Sequence, residues 1–486
     1  MLTTRRLFIA ILFIALFVMA TRDVTDPDFG WHLRTGEFIV TTFSIPHTDL
    51  FSFTATGQPW VTHEWLVEVV MYLLYRVGGF GALTLFFAFV ATLTFALVYW
   101  RSEGQPYLAA FVVLFAAATA APFWGARPHT LSLLLASSFL FLLDRYQREG
   151  ATRHLLWLLP LMLLWANSHG SFALGPALIA IYLGGDALEH FLHWSAAPRS
   201  RRDMAMLAGV GMLCVALIAV NPNGVRLYTY PFETLASASI QTYIQEWQPP
   251  DFTTLAVLPF LVLLVATIAA LILARRRIGL VDAILLLGFT YYSLRAARQI
   301  SIWVLIAAPI FTSSVNQIIR TRLQRTSIAR SPHPTLRMLV VNWALVAMFA
   351  LAAVVRIGFV VADQSKAERE FFPVDAVNFI EAENLAGPIF NQYNWGGYLI
   401  WRFASRPRER VFIDGRSDVY GLTDDLVVRE YLKAYTGSPD WREPLDRYAV
   451  RVVLIEPDAP LASQLARDVA WQKVYEDKQA VVWERR

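Results

Sequence analysis

Residues 7–36 read LFIAILFIALFVMATRDVTDPDFGWHLRTG. Positions 7–20 carry no polar side chain, so this stretch belongs in lipid rather than water. Carboxylates follow at once, at Asp23, Asp26 and Asp28, and then Trp31, His32 and Arg34. An apolar run that ends in charged and aromatic residues marks a helix leaving a bilayer at its interface. The rest of the chain extends that reading. Its 486 residues are 56% hydrophobic and 16% charged, against about 25% charged in an average soluble domain.

Apolar runs near 6–21, 80–100, 106–122, 129–144, 154–168, 172–190, 204–220, 253–274, 279–294, 299–318 and 338–361 predict about eleven spans. Residues 65–77 carry Glu68 and Arg76 and read as an interfacial amphipathic helix. Basic residues gather in short loops on alternate sides of this count: 5–6, 101, 145–153, 199–202, 275–277 and 320–330. Those loops share the cytoplasmic face, with the N-terminus inside and the C-terminal tail outside. The net charge of +4 therefore reports orientation in the membrane and gives no sign of nucleic-acid binding. Arg5, Arg6, the apolar core and Ala20 also satisfy a signal-peptide pattern; retention as a first span is expected. The single cysteine, Cys214, excludes an intrachain disulfide and a cysteine-based metal cluster.

The tail differs in kind. Strands are expected at 388–391, 410–413, 450–455, 471–475 and 480–483, and helices at 374–384, 423–435 and 461–469. The fold class is thus a polytopic α-helical membrane protein with a small C-terminal α/β domain. Its membrane domain covers 1–361, with a first outer loop at 22–79, and its extracytoplasmic domain covers 362–486.

The first outer loop concentrates scarce reactive groups. Of nine histidines, His32, His47 and His63 lie there, with Asp26, Asp28, Asp49 and Glu64. Asp26 and Asp28 suit a general base or a metal ligand, although Asp28 also suits an N-cap of the helix that follows. Oxygen-rich ligands fit a divalent cation such as Mg²⁺ or Mn²⁺. His63-Glu64 lacks HExxH spacing, because position 67 is valine. Other outward turns contribute Arg127, His129, Asn167, His169, Arg295 and Arg298. Arginine suits phosphate contacts, with snorkelling to the headgroups as the alternative for each. In the tail, Asp414, Arg416 and Asp418 form either a substrate contact or an ion-paired turn.

The acidic motif after the first span, Asp26-Pro27-Asp28, an inside N-terminus, about eleven spans and an outward α/β tail together resemble the GT-C superfamily of integral-membrane glycosyltransferases. The likeness is to bacterial members of the dolichyl-phosphate-mannose mannosyltransferase and aminoarabinose transferase group. The resemblance implies a sugar donor linked to polyprenyl phosphate, used on the outer face of the cytoplasmic membrane, and an acceptor it leaves undefined. It implies Asp26 or Asp28 as the base, His63 and Glu64 as a second catalytic pair, and His32, Arg34, Arg127, His129, Asn167, His169, Arg295 and Arg298 as substrate-binding residues. The pair after the first span is Asp-Pro-Asp here, where the family shows Asp-Glu. A non-catalytic scaffold of cell-envelope polymer assembly and a lipid-linked transporter or flippase are the alternatives. Nearly charge-free span centres weigh against transport.

Overall fold

The computed structural model describes residues 2–150, 152–194, 199–237, 245–275, 278–322, 335–406, 410–421 and 426–486. Most of the basic stretch 320–330, along with Arg276, Arg277 and the start of the helix expected at 423, falls outside these residues. The chain divides into two compact units. One comprises Met1–Arg22, Thr84–Asn221 and Gln245–Val360, the other Asp23–Leu83, Pro222–Ile244 and Val361–Arg486. The first outer loop is thus grouped with the tail, across the boundary expected at 361.

The first unit is helical. Helices α1 (Thr4–Ala20), α4 (Pro106–Ala120), α5 (Pro128–Glu149) and α6 (Ile300–Arg322) fall on expected spans; α2 and α3 are introduced below with the second unit. Among the described residues, five helices are long and apolar enough to cross a membrane: Trp65–Arg101, Pro106–Phe123, Gly170–Phe191, Ala297–Thr321 and Leu336–Phe371. The remaining expected spans form helices outside this set, such as the 17-residue α1 and the 22-residue α5. The run at 154–168 is split between a 3₁₀ turn, Thr152–Trp157, and a helix, Leu158–Ala166. A buried ion pair ties this unit together. Arg101 Nε donates to Asp144 at 2.7 Å and its Nη1 to the Leu305 carbonyl at 2.6 Å, and Tyr182 donates its hydroxyl to the same aspartate. Each charge is hydrogen-bonded, which burial requires.

The second unit starts with α2 (Phe29–Thr42) and the first part of α3 (Trp65–Arg101). The stretch 65–77 is helical, and Gly78 (φ −147°) and Gly79 (φ 57°) break α3 behind it. That break separates the stretch carrying Glu68 and Arg76 from the apolar run that begins at Phe80. The tail contributes α7 (Val374–Ala382), α8 (Gly396–Arg402) and α9 (Leu426–Tyr435). Its strands are β1 (Ile389–Asn391), β2 (Val452–Ile455), β3 (Trp471–Glu476) and β4 (Val481–Arg485), in the order β1-β2-β4-β3. The β1–β2 pair is parallel and the others are antiparallel. Four of the five expected strands appear. At the fifth, Val411 makes only isolated bridges, to Ile389 of the tail and to Ser52 of the loop.

Helices α2 and α8 cross at bare backbone. A Cβ on Gly30 would lie 2.1 Å from the Gly397 carbonyl oxygen, and one on Gly397 would lie 2.3 Å from that of Pro27. Only glycine permits this approach. It holds the acidic turn before α2 against the tail.

Candidate functional site

The turn that opens α2 follows from Pro27, which disfavours helix at Asp26. The Asp28 N–H donates to Asp26 Oδ1 at 3.0 Å, so Asp26 closes an Asx-type turn. Asp28 occupies the N-cap position but makes no side-chain capping bond. Its Oδ1 instead accepts from Trp31 Nε1 at 2.9 Å. The expected capping role is therefore replaced by a side-chain contact that aims the carboxylate at the tail. A Cβ on Gly415 would sit 1.7 Å from Asp28 Oδ1, so the carboxylate rests on the 414–418 turn.

That turn is locked by a buried arginine. Arg416 donates through Nε to Asp414 Oδ1 at 2.8 Å and through Nη2 to Asp414 Oδ2 at 2.7 Å. Its Nη1 lies 2.6 Å from Asp49 Oδ1, with both side chains fully buried. The guanidinium sits over the rings of Phe51 and Trp60 at 4.9 and 4.8 Å, a cation–π arrangement. Burial alone would raise the Asp49 carboxyl. Arg416, Ser52 and the Phe51 N–H outweigh it and hold the group below the usual carboxylate range. Arg416 is held well above its ordinary value: burial opposes its charge, but Asp414 and Asp49 prevail. Burial pushes Asp418 up to about 6. The ion-paired turn is one of the two expected readings of these residues; Asp49 is the partner that local sequence does not reveal.

Deeper along α2, His32 faces the start of α3. Its Nδ1 lies 3.2 Å from Glu68 Oε1 and 3.6 Å from Glu64 Oε2. Glu64 Oε1 lies 3.4 Å from His63 Nε2, so Glu64 is flanked by two imidazoles. The His63 ring stands 4.5 Å from that of Tyr230. Burial would lower the His63 imidazole, but the charge and hydrogen bond of Glu64, with Asp418, hold it above its ordinary value. Glu68 is pushed well above the carboxylate range, first by burial and then by Glu64. His32, Glu64 and Glu68 are all buried and offer ligand atoms within 4.8 Å of one another. Glu68 was not among the expected site residues. Its position one turn beyond Glu64 was the sequence signal that could have found it. Arg34, two positions from His32, lies about 200° around the helix and pairs with Glu37 at 2.5 Å.

The remaining expected residues belong to the first unit. Arg127 donates to Glu246 at 2.5 Å, and Arg298 lies over Trp247 at 4.8 Å. Burial would raise the Glu246 carboxyl, yet both arginines together hold it low. The His129 and His169 rings are 5.4 Å apart. Both His129 ring nitrogens are buried without a hydrogen bond inside the protein. Arg127 and Arg298 thus flank Glu246, and His129 stands near His169 and both arginines. Arg295 is exposed. Asn167 acts as a pin, donating to the Leu163 and Val220 carbonyls at 2.9 Å. His169 accepts from the Ser171 N–H at 3.1 Å, as a cap.

No family model matches the chain, and no curated protein matches it in sequence. Its structure does match solved ones. The archaeal oligosaccharyltransferase AglB from Archaeoglobus fulgidus, in complex with an inhibitory peptide and a dolichol-phosphate, aligns at TM-score 0.57 and 11% identity, covering 92% of this chain and 69% of AglB. The same enzyme tethered to an acceptor peptide aligns at TM-score 0.55 and 12% identity, covering 94% and 69%. ArnT from Cupriavidus metallidurans bound to undecaprenyl phosphate aligns at TM-score 0.49 and 13% identity, covering 98% and 97%. At such low identity it is the fold alone that is shared: this chain has the fold of the archaeal oligosaccharyltransferase.

Proposed function

We propose that the protein is a glycosyltransferase that moves a sugar from a polyprenyl-phosphate donor to an acceptor on the outer face of the cytoplasmic membrane. The observation that carries this reading is the Asp28 carboxylate, held by Trp31 Nε1 over the tail turn at the opening of α2, in a chain with the fold of the archaeal oligosaccharyltransferase. Asp28 is the general base and Asp26 builds its turn. The base takes the proton of the acceptor nucleophile as that atom bonds to the anomeric carbon. The bond from that carbon to the phosphate oxygen breaks, and the electron pair leaves on polyprenyl phosphate. Positive charge stabilises such a leaving group. Arg127 and Arg298, with His129 beside them, are the groups we propose for binding a lipid phosphate. The dolichol-phosphate bound to AglB supports a lipid-phosphate donor. About eleven spans, an inside N-terminus and an outward tail complete the proposal.

The test uses the full-length protein in sealed proteoliposomes with a labelled polyprenyl-phosphate sugar in the outer leaflet. The expected result is equimolar release of polyprenyl phosphate and labelled acceptor. Movement of intact donor across the bilayer without release would instead mark a transporter. Absence of both, across several donors, would mark a scaffold.

A further inference from the structure

We infer that His32, Glu64 and Glu68 bind one divalent ion of the zinc class. Two carboxylates converge on the same nitrogen, His32 Nδ1, at 3.2 and 3.6 Å. Glu68 Oε2 is buried with no hydrogen-bond partner, in a residue only 1% exposed. An ion among the three groups supplies that partner. Zinc with nitrogen and oxygen ligands at about 2.0–2.1 Å sets neighbouring ligand atoms roughly 3.3 Å apart in a tetrahedron; the two separations from His32 Nδ1 bracket that value, and all three ligand atoms lie within 4.8 Å of one another.

The backbone is built to keep this arrangement. Gly36 follows His32 by one helical turn, and a Cβ there would lie 2.1 Å from the Glu68 carbonyl oxygen. That contact presses α2 onto the start of α3 and sets His32 beside Glu68. Glu64 and Glu68, one turn apart, then face His32 together. The His32 ring packs on Trp31 with centroids 3.6 Å apart, which fixes its plane.

The donor set selects the metal class. An imidazole with two carboxylates suits zinc-type ions, whereas Mg²⁺ prefers oxygen ligands in a near-ideal octahedron and keeps several waters. Binding an ion displaces the Glu68 proton, and the dication balances the two resulting carboxylate charges in a buried setting. Three protein ligands leave a fourth tetrahedral position open. The inference rests on ligand geometry and not on the proposed glycosyl transfer.

The test is metal analysis of the untagged, full-length protein in detergent. The protein is stripped with a chelator, incubated with equimolar Zn²⁺ or Mg²⁺, and desalted. We expect about one zinc per chain, no retained magnesium, and a zinc affinity at least about tenfold lower in His32→Gln and in Glu68→Gln. Absence of bound zinc in the wild type, or equal retention by the double variant, overturns the site. Should either variant fail to fold, X-ray absorption at the zinc edge of the wild type decides. One imidazole among light ligands supports the site, and none overturns it. Since no sugar donor is present, a chain that holds zinc yet transfers no sugar would sink the glycosyltransferase reading alone.

Discussion

Arg416 and Asp49 stand 2.6 Å apart with both side chains fully buried, one on the tail turn and the other in the first outer loop. Asp414 grips the same guanidinium with two further bonds. Removing the arginine would leave two buried carboxylates without their cation. Arg416→Met is expected to cost about 3–5 kcal/mol, read as a large drop in the thermal unfolding midpoint. Arg416→Lys should restore little, because one ammonium cannot make the paired bonds to Asp414 or stack between Phe51 and Trp60.

The same pair predicts acid sensitivity. Asp49 is held below its ordinary range in the folded protein, so the unfolded chain takes up its proton at the higher pH. Its contribution is present above about pH 4, the unfolded value, and is lost as pH falls through the lower folded value. Unfolding midpoints measured from pH 6 to pH 3 should fall more steeply in the wild type than in Asp49→Asn.

The two aspartates of the opening turn should separate in kinetics. Asp28→Asn removes the proposed base and is expected to slow sugar transfer at least about 100-fold. Asparagine at position 26 keeps an oxygen for the Asp28 N–H, so Asp26→Asn should stay within about tenfold of the wild type. The reverse order, in initial rates of folded protein, would transfer the role to Asp26.

The crossing of α2 and α8 allows no side chain at its centre. Gly30→Ala would place a methyl group 2.1 Å from the Gly397 carbonyl oxygen. Backbone must shift to accept it, at a cost of about 1–3 kcal/mol. Protease sensitivity of the tail should rise with it. An unchanged cleavage rate would mean that the helices separate without penalty.

Arg298 and Arg127 are the proposed phosphate contacts. Arg298→Gln should weaken binding of polyprenyl phosphate by about 10- to 100-fold, the loss of one charge-assisted hydrogen bond of about 1.5–3 kcal/mol. Arg295→Gln should leave binding near the wild-type value, since Arg295 is exposed. Titration of both variants with the lipid distinguishes the two arginines.

The sequence by itself determined what local pattern can carry. Long apolar runs yielded helices such as α1 and α5, and the switch to short alternating stretches yielded the four-stranded tail sheet. Pro27 and the dense polar groups of residues 26–64 marked the acidic turn and the first loop. Tertiary structure alone decided which distant groups meet: Asp49 with Arg416, Asp28 with Gly415, and His32 with Glu64 and Glu68. It also decided that Arg127 and Arg298, rather than Arg295, gather beside Glu246. The reason is physical. Periodicity and propensity act over a few residues, whereas these contacts depend on backbone approach at Gly30, Gly36 and Gly397, and that approach exists only once the helices have packed.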